Sequence, residues 1–324
     1  MYTENGLRDF LSTNGRVVLE KAGSDYVLRS FTEKEIEKIT FGYSILLGKG
    51  AFGEVYRGML SKRPVAVKRY INRTRKEEFA REVIVHSHIN HKNVVRLLGC
   101  CTEENALMIV MEFISNGNLE NLLHYNHANG RIPLPLPKRL DIATVSAEVL
   151  AYMHSMYRPV LHGDIKPANI LLDENLTPKI SDFGIARLLS ADEVQHTASI
   201  IGCRGYVDPI YCQSGILTPK SDIYSFGVVL LEIVTRKKAV ERNSTLVQTF
   251  NDALRAKKVK QLFDEEIADA RNMKFLLQIG KLAAKCLKLD VTMRPEMPDI
   301  ADCLRMLRKD MQREQGSTSQ GFFF

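Results

Sequence analysis

Residues 161–184 read LHGDIKPANILLDENLTPKISDFG. Three short apolar runs, VLHG (160–163), ILL (170–172) and PKI (178–180), are separated by stretches rich in aspartate, asparagine and proline. Runs of that length between turn residues read as strands rather than helices. They deliver four polar groups: Asp164 and Lys166 after the first run, Asn169 before the second and Asp182 after the third. A carboxylate and an amide oxygen converging from strand ends form a hard, oxygen-rich site of the kind Mg²⁺ prefers. Asp164 is then free to orient and deprotonate a hydroxyl. A polar turn capped by Asp and Asn is the competing reading of this stretch taken alone.

Two upstream motifs decide between them. Gly48-Lys49-Gly50-Ala51-Phe52-Gly53-Glu54-Val55 carries a G-x-G-x-x-G spacing, followed by the strand-like VYRGML and not by a helix. Strand–turn–strand is the setting of a loop closing over nucleotide phosphates, where missing Cβ atoms let backbone N–H groups approach. Val65-Ala66-Val67-Lys68 ends an apolar strand on a lysine, which is costly to bury unless it meets an anion. Glu82, in the helical stretch TRKEEFAREVIVHSH (74–88), is the carboxylate that would hold it, so that the ammonium can grip the α- and β-phosphates of ATP. Taken alone, a surface ion pair is the alternative for Lys68 and Glu82.

Glycine loop, lysine, helix glutamate, H-x-D-x-K-x-x-N and D-F-G follow one another in the order of the protein-kinase signature. From about residue 43 to 310 the chain resembles a eukaryotic protein kinase. FGYSILLGKGAFGEVYRGML, HKNVVRLLGCC, ISNGNL, KPANILLDENLTPKISDFGIARLL and KSDIYSFGVVLLEIVTRKK are similar to plant receptor-like kinases of the wall-associated kinase-like branch. The resemblance implies an α+β bilobal fold: a small antiparallel sheet with one helix, then a larger, mainly helical lobe. It places a juxtamembrane-like extension at residues 1–40, the N-lobe at 41–113, the C-lobe at 114–312 and a tail at 313–324. It implies ATP and Mg²⁺ as cofactors. Lys68 and Glu82 become the activating pair, Asp164 the base, Lys166 the γ-phosphate cation, and Asn169 and Asp182 the metal ligands. Gly48, Lys49, Gly50, Ala51, Phe52, Gly53, Val55 and Ala66 line the nucleotide, with Met111 as gatekeeper and Glu112 and Phe113 opening the hinge. Asp222 anchors the catalytic-loop backbone, and Phe183 and His162 belong to the internal spine. Thr197 and Ser199 are the activation-loop phosphosite candidates.

The chain departs from that pattern at three places. Gly163 stands where many kinases carry the arginine that pairs with a phosphorylated activation loop, so loop phosphorylation has less leverage here. Cys203 replaces a threonine, and a thiol whose pKa Arg204 lowered would be redox-active. Ile210 replaces the glutamate that pairs with a buried arginine, here Arg294. Arg294 is therefore expected to be exposed or to find another acceptor, such as Asp208, because an unpaired buried guanidinium costs about 3–5 kcal/mol. The expected activity is that of a serine/threonine kinase in plant signalling or defence. An ATP-binding pseudokinase scaffold is the alternative.

The bulk numbers agree. The 324 residues, 45% hydrophobic and 26% charged, suit a globular protein of two packed lobes. The net charge of +7 comes without a basic run interleaved with aromatics, so nucleic acid is not expected as a partner. The six cysteines include no C-x-x-C pair and fit a reducing compartment. No signal peptide or long apolar run is present, and Tyr2 excludes N-myristoylation. Protein substrates are the expected partners, with a membrane-bound receptor or co-receptor beside them. The expected location is the cytoplasm, with the inner face of the plasma membrane as the alternative.

Overall fold

The computed structural model describes residues 28–50, 53–71, 76–103, 106–125, 132–189, 201–242 and 244–320. The chain divides into two compact units, residues 1–115 with 181–188, and residues 116–180 with 189–324.

The first unit is built on a six-stranded sheet in the order β1-β5-β6-β4-β3-β2. Its strands are β1 (Arg29–Ser30), β2 (Leu46–Lys49), β3 (Gly53–Leu60), β4 (Arg63–Tyr70), β5 (Leu97–Glu103) and β6 (Ala106–Glu112). Neighbours are antiparallel except β1, which runs parallel to β5 with Arg29 opposite Gly99. Successive side chains of a strand point to opposite faces. Val65 and Val67 of β4 accordingly join Met108 and Val110 of β6 in one apolar cluster. Helix α1 (Glu33–Ile39) covers that cluster with Ile36 and Ile39, helped by Phe31. A capping box starts α1: the Thr32 N–H donates to Glu35 at 2.8 Å, and the Glu35 N–H donates to the Thr32 hydroxyl at 3.2 Å. A Cβ added at Gly58 would lie 2.7 Å from the Ile39 side chain and 2.8 Å from its carbonyl oxygen, so only glycine lets α1 settle on β3. Helix α2 (Lys76–Ser87) buries Phe79, Val83 and Ile84 together with one charged residue, Glu82.

The second unit is mainly helical. It contains α3 (Leu119–His124), α4 (Leu136–Ser155), α5 (Pro209–Ser214), α6 (Pro219–Thr235), α7 (Leu246–Arg255), α8 (Met273–Cys286) and α9 (Met297–Gln320). Every residue of α6 from Ser221 to Thr235 is buried, so this helix is the central post, with α4 and α8 packed against it and α9 against α4. The proline-rich 132–137 leads straight into α4, where Pro137 sits in the first turn and needs no N–H partner. Short strands β7 (Val160–Leu161), β8 (Ile170–Leu172) and β9 (Pro178–Ile180) are the three apolar runs of the opening stretch. β8 and β9 form a hairpin with Ile170 opposite Ile180. The α+β class, with a sheet unit and a larger helical unit, is the one expected for a protein kinase; the parallel β1 is the feature the sequence did not announce.

Candidate active site

In the first unit, β4 and α2 bring together the charges the sequence singled out. Lys68 Nζ donates to Glu82 Oε2 and to Asp182 Oδ1, each at 2.7 Å. The Lys68 and Glu82 side chains are 8% and 1% exposed, so this is a buried pair and not a surface one. Burial works against the Lys68 charge, but Asp182 and then Glu82 outweigh it and raise its pKa. Burial is also the main influence on Glu82 and lifts its pKa against the pull of Lys68. Asp182 holds its carboxylate there from a left-handed backbone (φ +66), a costly conformation for a non-glycine residue. Phe183, next in line, is fully buried with its ring 4.8 Å from that of His86. Sequence reasoning missed one member of this cluster: the Tyr70 hydroxyl donates to the same Glu82 Oε2. The signal was present in the alternation of Lys68-Arg69-Tyr70, which puts Lys68 and Tyr70 on one face of β4.

The glycine loop spans the β2–β3 turn. Gly48 lies opposite Val55, and Lys49 opposite Glu54, with which it pairs at 3.0 Å on the surface. Only Gly53 of the loop's glycines is demanded by the protein's own packing, since a Cβ there would lie 2.0 Å from the Arg69 carbonyl oxygen. A Cβ at Gly48 or Gly50 would meet nothing within 4 Å among the described residues, the arrangement expected where an outside group needs the room. Ala51 and Phe52 lie outside the described residues. Ala66 pairs across the sheet with Met111, which is largely buried. Glu112 accepts the Arg96 N–H at 2.8 Å, and Arg57 stacks 5.1 Å above the Phe113 ring.

In the second unit, β7 leads into the loop that holds Asp164. The backbone N–H groups of His162 and Gly163 donate to Asp222 at 2.9 and 2.8 Å, and His154 Nε2 lies 2.9 Å from the same carboxylate. Asp222 sits in the first turn of α6, where the helix dipole favours an anion. Asp164 is 8% exposed. Its Oδ2 accepts from Lys166 Nζ at 2.6 Å and from Asn169 Nδ2 at 3.1 Å. Asn169 Nδ2 also donates to the Asp164 carbonyl at 2.8 Å, which fixes the amide and turns its oxygen, the only atom of the group with a lone pair for a cation, the other way.

Each unit thus carries its own part of the signature. The protein tyrosine and serine/threonine kinase family matches residues 42–304. The chain belongs to that family. Among its relatives, wall-associated receptor kinase 3 of Arabidopsis thaliana is 38% identical over 98% of this chain and 44% of its own length. Wall-associated receptor kinase 1 from the same plant is 39% identical over 95% of this chain and 44% of its length. Wall-associated receptor kinase-like 16 is 37% identical over 92% of this chain and 72% of its length. The chain therefore lies on the wall-associated kinase-like branch and spans less than half the length of the first two relatives. Among the described residues, no helix is long and apolar enough to cross a membrane, and no cluster of three His, Cys, Asp or Glu side chains is placed to hold a metal ion.

The kinase's departures from the pattern each have a structural outcome. Arg294 is 2% exposed and has the acceptor foreseen for it: Nη1 and Nη2 reach the two oxygens of Asp208 at 2.7 and 2.8 Å. Two carbonyls, of Lys288 and Lys220, accept the remaining bonds at 2.7 and 2.8 Å. Asp208 also caps α5 by accepting the Ile210 N–H at 3.0 Å. Gly163 has φ +78, so its glycine identity relieves backbone strain as well as removing an arginine. The condition set for a redox-active Cys203, a pKa lowered by Arg204, is not met: burial raises the thiol's pKa, with Lys166 opposing. Thr197 and Ser199 lie outside the described residues.

Proposed function

We propose that this kinase domain transfers the γ-phosphoryl group of ATP to serine and threonine hydroxyls of protein substrates. A protein kinase domain works with ATP and a divalent ion; Mg²⁺ is the ion this reading assigns. The observation that carries it is Lys68, buried and held at 2.7 Å by both Glu82 and Asp182. A desolvated lysine between two carboxylates stays charged and fixed in place, which is what binding the α- and β-phosphates requires.

The donors fit a hard cation. Asp182 offers a carboxylate from a strained backbone, and Asn169 an amide whose nitrogen is already spent on Asp164. Those two residues would hold Mg²⁺, which when bound neutralises phosphate charge. Gly48, Lys49, Gly50, Ala51, Phe52, Gly53 and Val55 are assigned to the phosphate side of the nucleotide. Ala66, Met111, Glu112 and Phe113 are assigned to the base side. Asp164 orients the substrate hydroxyl and takes its proton on Oδ1, since Oδ2 is engaged by Lys166 and Asn169. Lys166, beside the base, favours serine and threonine substrates.

The scaffold alternative drew on the altered end of the activation segment. Asp208 supplies Arg294 with the carboxylate missing at Ile210, which weighs against that alternative. Signalling next to a membrane-bound receptor, in the cytoplasm or at the inner face of the plasma membrane, suits relatives named receptor kinases. The test is autophosphorylation with radiolabelled ATP and Mg²⁺, phosphoamino-acid analysis of the product, and Asp182→Asn as control. Phosphoserine or phosphothreonine well above the control is expected. A signal no higher than the control sinks the reading.

A further inference from the structure

We propose that Tyr70 is a positioning residue for the Lys68–Glu82 pair, its hydroxyl setting the Glu82 carboxylate so that Lys68 stays shared between Glu82 and Asp182. This rests on the reading of Lys68 as the cation for ATP. Lys68 and Tyr70 stand two residues apart on one face of β4, and both donate to Glu82 Oε2. The Tyr70 ring meets α2 a second time, edge to face with Phe79 at 5.4 Å, one turn before Glu82. Lys68 Nζ also lies 5.3 Å from the Tyr70 ring centroid. Tyr70 is 6% exposed, and burial together with Glu82 keeps its hydroxyl protonated as a donor.

The second oxygen of Glu82 explains why the hydroxyl matters. Oε1 is buried and has no hydrogen-bond partner among the described residues, so the carboxylate is held through Oε2 alone. Without Tyr70, its anchor would be Lys68, for which Asp182 competes at the same distance. A buried carboxylate that loses one of two donors gains freedom to turn, and Lys68 shifts toward Asp182. Tyr70 acts through Glu82 and touches no reacting atom.

The experiment compares wild type, Tyr70→Phe, Glu82→Gln, the double variant and Phe79→Leu for ATP kinetics, ATP affinity by calorimetry with Mg²⁺, and thermal midpoint. Tyr70→Phe keeps the ring against Phe79; it is expected to melt near wild type and lose about tenfold in kcat/KM for ATP. On the Glu82→Gln background the same change is expected to cost less than about twofold, because residues acting as a unit are not additive. Phe79→Leu is expected to lower the midpoint yet keep kcat/KM within about twofold of wild type. The proposal is overturned if Tyr70→Phe matches wild type, if its loss multiplies in full onto Glu82→Gln, or if Phe79→Leu reproduces it. Should wild type transfer no phosphate above Asp182→Asn, the kinase reading fails and affinity alone judges Tyr70. There, about fivefold weaker binding of ATP by Tyr70→Phe supports the role and equal binding ends it.

Discussion

Arg294 shows how one altered residue is absorbed. Its guanidinium is buried, and the carboxylate that neutralises it has moved from the position of Ile210 to Asp208. Asp208→Ala strips a buried charge of its partner and is expected to cost about 3–5 kcal/mol in denaturant unfolding. Asp222 gives a pH test. Burial opposes its charge, but His154, His162 and the Gly163 N–H outweigh that and hold its pKa below the usual 3.8. A depressed folded-state pKa stabilises above the unfolded value, and that stability is lost as pH falls through the folded one. Asp222→Asn should therefore lower the urea midpoint clearly at neutral pH and much less near about pH 2. Cys203 gives a chemical one: with its pKa raised by burial, alkylation by iodoacetamide at neutral pH is expected to be slower than in the urea-unfolded chain, as read by mass spectrometry.

At the scale of elements, α1 matters most to the sheet unit. Ile36 is fully buried and Ile39 nearly so, both on the cluster around Val65, Val67 and Met108. Ile36→Ala is expected to destabilise by about 2–5 kcal/mol, and Thr32→Ala, which breaks only the capping box, by about 1 kcal/mol. Gly58→Ala would push against Ile39 and should lower the thermal midpoint as well. The capping box and the helical spacing of Ile36 and Ile39 were legible because they are local. What α1 packs against was not, because Gly58 reports the contact only by lacking a Cβ, and many strand glycines do so for other reasons. The same holds for β1: a two-residue parallel strand leaves no periodicity to read.

At the scale of the molecule, both units were legible because each motif of the signature is a chemical demand at fixed spacing. Lys68 and Glu82 could be paired from sequence; the alternation put Tyr70 on the same face as Lys68, but a tyrosine ending an apolar strand is adequately explained as core, so its hydroxyl's partner went unread. Thr197 and Ser199, the candidate phosphosites, test a proposal about regulation. With Gly163 in place of an arginine there is no local guanidinium from that position to order a phosphate, so the Thr197→Ala, Ser199→Ala double variant is expected to keep activity within about threefold of wild type. A loss beyond tenfold in the same autophosphorylation assay would contradict this. Asp208 has one more consequence. One of its oxygens accepts both the α5 cap and Arg294. Unwinding of α5 and exposure of the guanidinium are thereby linked events. The amides of 210–215 should therefore exchange with deuterium only through openings large enough to free Arg294 as well, giving this short helix slower exchange than a surface turn.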